Sequence, residues 1–117
     1  LQQRAAKVGF DWPTIYQAFE KMYEEIEELK LEIEADKPDR NRIQAEVGDI
    51  LFVATNIARI SGYEPETSLI LTNRKFEKRF KQMELQSKED NENLEDLSID
   101  ELESYWVMAK NIEKNKN

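Results

Sequence analysis

Six apolar residues, Ile15, Phe19, Met22, Ile26, Leu29 and Ile33, recur at intervals of 4, 3, 4, 3 and 4. That rhythm keeps one side chain per turn on a single helix face, whereas a strand would alternate with a period of two. A polar break follows from Asp36 to Asn41, with Pro38 inside it. A connection that short sends the next helix back antiparallel to the first. The chain is therefore expected to be organised around a helical hairpin, about 13–35 followed by about 40–61.

The flanking segments extend this pattern. Residues 1–10 read as weakly helical, ending at Gly9. Asp11 or Trp12 is the expected cap of the next helix, with Pro13 in its first turn. The third helix is apolar nearly all round from Val47 to Ala58, which predicts that it is the most buried. Gly62 suits its C-terminal end and Pro65 the start of a fourth helix, about 65–86, with Leu69, Phe76, Phe80 and Met83 facing inward. Residues 87–97 are acidic and polar, the composition of a flexible linker. Ser98 and Glu101 have the spacing of a capping box opening a last helix, about 98–111, and the EKNKN tail is expected to fray. No strand pattern occurs. The fold class is all-α, an antiparallel helical bundle forming a single domain over 1–117.

Composition narrows the chemistry. Apolar residues make up 39% and charged residues 36% of 117 positions. So thin a core for this many helices argues that helices are shared between subunits, as in a homodimer or larger homo-oligomer. The net charge of −8 argues against a nucleic-acid duplex or an anionic membrane as partner. There is no Cys and no His, which excludes thiol catalysis, disulfides, histidine bases and the usual zinc sites. No apolar run is long enough to span a bilayer and no signal pattern opens the chain, so the expected location is cytoplasmic. The chain begins at Leu1 rather than Met, as a fragment of a longer protein would.

Two acidic motifs stand out, Glu24-Glu25-x-x-Glu28 and Glu46-x-x-Asp49, one on each arm of the hairpin. At about 100° per residue, Glu25 and Glu28 share a strip with Lys21 and Glu32 that borders the apolar stripe. Glu24 lies close to that border, while Glu20, Glu27 and Glu34 point outward as an ordinary solvated face. Glu46 falls in the middle of the stripe made by Ile43, Ile50, Val53 and Ile57, with Asp49 to one side and Asn56 two turns further along Asp49's side. A carboxylate centred on an apolar face is costly unless cations or several donors compensate it. Either a Lys or Arg partner or a metal ion would do so. A donor set of carboxylates alone suits a hard cation, Mg²⁺ or Mn²⁺. Gly48, between the two acids, sits where a helix would prefer Ala, which suits close approach by a ligand or a neighbouring helix.

On the fourth helix Lys75 and Arg79 lie one turn apart beside the apolar stripe, with Asn73 near its other edge. Cations next to a carboxylate–metal cluster would suit a polyphosphate, and a plain basic face pairing with acidic helices would look the same. Trp106 could pack in the core or stack on a base, and core packing is the expectation.

The acidic motifs, together with Asn73-Arg-Lys75-Phe-Glu-Lys-Arg79-Phe80, AAKVGFDWP and GDILFVATNIARISGYEPETSL, resemble the MazG-type nucleoside triphosphate pyrophosphohydrolases of the all-α NTP pyrophosphatase superfamily, over roughly residues 4–110. The resemblance implies Mg²⁺-dependent hydrolysis of a nucleoside triphosphate to the monophosphate and pyrophosphate. It implies Glu25, Glu28, Glu46 and Asp49 as metal ligands, with Glu24 behind them or as a base. It further implies Lys21, Lys75 and Arg79 at the phosphates, Asn73 at phosphate or sugar, Trp106 near the base, and an intertwined helical dimer. Four carboxylates match the charge of two divalent cations, and water is the remaining nucleophile. The alternatives are a non-catalytic acidic helical module for oligomerisation or partner binding, and a selective dUTP or dCTP hydrolase of the same superfamily.

Overall fold

The computed structural model describes residues 1–115. Its elements are α1 (Gln2–Lys7), α2 (Ile15–Ile33), α3 (Arg40–Ile60), α4 (Pro65–Glu89) and α5 (Ile99–Asn115), with a 3₁₀ turn at Leu94–Asp96. The fold is all-α, and no strand occurs among the described residues. The chain falls into two compact units, 1–68 and 69–117.

In the first unit α2 and α3 are the principal packed pair. Helix α3 begins where Asp39 accepts hydrogen bonds from the backbone N–H of Asn41 and Arg42, a standard N-cap that satisfies otherwise orphaned donors. It ends at Ile60 and is closed by Gly62, whose φ of +90° accompanies hydrogen bonds from its own N–H to the Arg59 carbonyl and from Tyr63 N–H to the Ala58 carbonyl, a Schellman closure. The start of α2 differs from expectation. Thr14, not Asp11 or Trp12, is its N-cap and Pro13 lies outside the helix. Gln17 Oε1 accepts the Thr14 backbone N–H at 3.0 Å, and Asp11 is instead drawn to Arg59.

Burial departs from the sequence pattern in an informative way. The face that α2 buries is centred on Ala18 and Glu25, and Ile26 on the apolar stripe remains 47% exposed. Helix α3 is not the well-buried element its composition predicts, because only Val53 and Asn56 are buried and Leu51 is 64% exposed. A helix apolar all round needs partners on every side, and α2 covers one.

In the second unit Met83, Tyr105 and Ala109 form a small core, with Leu94, Leu97, Leu102 and Trp106 packed around it. Of the α4 residues expected to face inward, Met83 is buried, while Leu69, Phe76 and Phe80 are exposed. The expected linker at 87–97 is largely built structure. Helix α4 runs on to Glu89, Asn91 turns at φ 57°, Glu92 N–H reaches the Ser87 carbonyl, and Leu94 and Leu97 join the core. The Tyr105 hydroxyl, 2.7 Å from Asp90 and 3.1 Å from Glu92, ties this turn to α5, and those carboxylates raise its pKa. Ser98 and Glu101 form the expected capping box, and α5 continues past 111 to Asn115. The rest of the tail expected to fray, Lys116 and Asn117, lies outside the described residues.

Candidate metal and nucleotide site

The hairpin sets the register of the acidic motifs. Glu28 lies five residues before the end of α2 and Glu46 six after the start of α3, so a short turn brings them to the same height. Carboxylate oxygens of Glu25, Glu28 and Glu46 all lie within 4.8 Å of one another. Glu25 is 4% exposed, in an apolar helix interface where an isolated carboxylate is unfavourable. One of its oxygens takes the Lys21 ammonium at 3.0 Å. The other, Oε2, is buried without a hydrogen-bond partner, as is Oε2 of Glu46.

No donor group among the described residues reaches these two water-shielded oxygens, and a cation within the three-carboxylate cluster could satisfy both. The effect on Glu46 is large. Loss of solvent, then the adjoining Glu25 carboxyl and the charges of Glu28 and Asp49, push its pKa from 4.5 to about 7. The donor set fits a hard divalent cation. Asp49 is exposed and lies outside the three-carboxylate group, although its charge reaches Glu46. Glu24 is exposed, 3.4 Å from Lys21. Lys21 is therefore turned toward Glu25 and Glu24, which raise its pKa. A Cβ on Gly48 would meet nothing within 4 Å, so no packing neighbour in the structure explains that glycine.

A cavity of about 1230 Å³ opens in the same unit between α1, the 9–12 segment and α3, with Phe10, Trp12, Phe52, Asn56 and Arg59 among its walls. Asn56 is 5% exposed. Its Oδ1 accepts from Arg59 Nη2 at 2.8 Å, and Arg59 grips both Asp11 oxygens, at 2.7 and 3.2 Å. The guanidinium holds Asp11 below the usual carboxylate range. Sequence reasoning located Asn56 but missed this network. The i, i+3 spacing of Asn56 and Arg59 was its local signal, whereas Asp11 is distant in sequence.

The remaining predicted residues belong to the second unit. Asn73 and Lys75 are exposed. Arg79 donates from Nε to Glu113 at 2.8 Å, and its guanidinium lies over the Trp106 ring, 5.3 Å from the centroid. Trp106 is half-buried against the Met83–Tyr105–Ala109 core, as expected of a packing residue. Glu113 was missed, because its segment reads as a fraying tail.

Comparison with known proteins adds to this geometry. The model of the MazG nucleotide pyrophosphohydrolase domain matches residues 14–83, a stretch holding all the predicted site residues except Trp106. The chain is 39% identical over 110 residues to a Thermotoga maritima protein named nucleoside triphosphate pyrophosphohydrolase/pyrophosphatase MazG, covering 94% of this chain and 41% of that protein. It is 34% identical to the Escherichia coli nucleoside triphosphate pyrophosphohydrolase, covering 94% of this chain and 42% of that one. An uncharacterized Bacillus subtilis protein, YabN, is 41% identical over 80 residues, 68% of this chain and 16% of its own length. The chain thus spans about two fifths of the length of the named pyrophosphohydrolases. With the family's model matching more than half of its residues, and with the acidic hairpin inside that match, the chain belongs to the MazG nucleotide pyrophosphohydrolase domain family.

Proposed function

We propose that this chain hydrolyses nucleoside triphosphates to nucleoside monophosphate and pyrophosphate, with Mg²⁺, or Mn²⁺ in its place, held by Glu25, Glu28, Glu46 and Asp49. The observation that carries this reading is the pair of buried, unpartnered oxygens on Glu25 and Glu46 within a cluster of three carboxylates. The relatives named as nucleoside triphosphate pyrophosphohydrolases support the substrate class. When bound, the metal supplies charge neutralisation at the phosphates and a more acidic water.

The chain's own groups divide the remaining work. Lys21 lies on Glu25 and Glu24, orienting the first motif and lowering its charge density. Glu24, exposed beside it, is the candidate to take a proton from the attacking water. Lys75 and Arg79 are assigned to phosphate oxygens, Asn73 to phosphate or sugar, and Trp106 to the neighbourhood of the base. The aromatic and amide groups around Asn56 offer a second set of contacts for a nucleoside.

The protein acts, on this reading, in the cytoplasm as a homodimer or larger homo-oligomer, with neither a nucleic-acid duplex nor a membrane as partner. The net charge of −8 and the many exposed large apolar side chains support this. No helix among the described residues is long and apolar enough to cross a membrane.

A panel of NTPs and dNTPs with Mg²⁺, assayed for pyrophosphate release, tests the activity. Release from at least one substrate, abolished by chelator, is expected. Absence of turnover throughout the panel, with no Mg²⁺-dependent thermal shift, overturns the reading.

A further inference from the structure

We infer that Glu113, in the last turns of α5, is the positioning residue for Arg79, and that with Trp106 it presents the guanidinium to a phosphate group. The inference rests on the proposed assignment of Arg79 to a polyphosphate. The clamp itself is visible independently of that assignment.

A guanidinium has one Nε–H and two terminal amino groups, disposed as a planar fork with two distinct edges and two faces. Two of its features are constrained from within the protein. Glu113 Oε2 takes the Nε–H at 2.8 Å, in a pair whose side chains are only 18% and 32% exposed. Trp106 lies against the guanidinium at 5.3 Å from its ring centroid, within cation–π range. Phe76 packs on that indole, 5.3 Å between centroids, holding the platform itself. No other hydrogen-bond partner of the guanidinium occurs among the described residues. The Nη edge is therefore the part left for an external acceptor, and that edge suits two phosphate oxygens at once.

Glu113 is also a dependable anchor. Arg79, followed by Lys78 and Lys75, holds its carboxyl below the usual range. The anchor therefore stays ionised at neutral pH. An arginine already ordered on two sides loses less side-chain freedom when an anion arrives, so tethering favours binding. The three cations around this one carboxylate make the surface attractive to a polyanion, while the carboxylate decides which way Arg79 points.

The test uses two substitutions. Glu113→Ala removes the anchor, and Glu113→Gln keeps an acceptor for Nε–H without the charge. Inorganic pyrophosphate binding is measured by titration calorimetry, and KM and kcat with the best NTP, while circular dichroism confirms the fold. Glu113→Ala is expected to weaken pyrophosphate binding and raise KM by about fivefold, with kcat within about twofold. Glu113→Gln should bind as tightly as the parent chain or more tightly. Unchanged or tighter binding by Glu113→Ala overturns the proposal, as does equal loss in both variants. The two readings fail separately. A parent chain that hydrolyses no NTP refutes the activity, whereas a parent that hydrolyses NTP while Glu113→Ala leaves KM and pyrophosphate affinity untouched refutes the clamp.

Discussion

Glu46 is the residue on which most depends. In the folded chain it keeps its proton to about pH 7, while its ordinary value is 4.5. Between those values the folded state holds more protons than the unfolded one, so this group makes stability fall as pH rises. The melting temperature in chelator should therefore drop from pH 5 to pH 8 by more in the parent chain than in Glu46→Gln. Adding Mg²⁺ at pH 8 should recover the parent and leave the variant unmoved. Equal pH profiles for the two would contradict the raised value. Asp49 is exposed and apart from the three-carboxylate group, yet the motif assigns it to the metal. Asp49→Asn is expected to lower kcat/KM by about 100-fold or more, beyond the usual loss for groups that only support a ligand. Glu27→Gln, on the exposed face, should stay within about twofold. Steady-state pyrophosphate release on both variants reads the difference.

At the scale of elements, the helical hairpin was legible because two local signals agree. The 4-3-4-3-4 rhythm fixes helix type, and the Pro-containing break fixes antiparallel return. Helix ends were less legible. Thr14 caps α2, while Asp11 pairs with Arg59, 48 residues away. The turn after α4 looked like a linker because its acids are read as solvated, yet Tyr105 from the following helix gathers two of them. Gly48 offers a test at this scale. With open space around it in α3, Gly48→Ala should stabilise the isolated fold by about 1 kcal/mol through helix propensity. Urea unfolding measures that gain. A loss of stability instead would mean that another surface approaches α3 at this point in solution.

Across the whole molecule, few large side chains are fully covered. Exposed apolar residues are spread over α2, α3 and α4, among them Ile26, Leu51, Leu69 and Phe76. Surfaces of that kind on several helices are typical of association sites. Light scattering is expected to give at least twice the 13.9 kDa of one chain. Leu51→Glu, placing a charge on an exposed apolar position of α3, should shift the population toward the single chain. A monodisperse monomer at micromolar concentration for the parent would contradict the oligomer reading.

The sequence by itself determined helix type, helix order and the identity of the acids, because periodicity, turn chemistry and the absence of His and Cys are local or compositional facts. Only tertiary structure decided which strip of α2 is buried. The sequence favoured the whole apolar stripe, yet Ala18 and Glu25 are the buried residues of α2. Ile15, Met22 and Leu29 of the stripe are half-buried and Phe19, Ile26 and Ile33 exposed, because α3 covers only one side of the helix. It also decided that Asp11 serves Arg59 and Glu113 serves Arg79, pairings between residues 48 and 34 positions apart. No local pattern encodes such partners, since they exist only after the helices have packed.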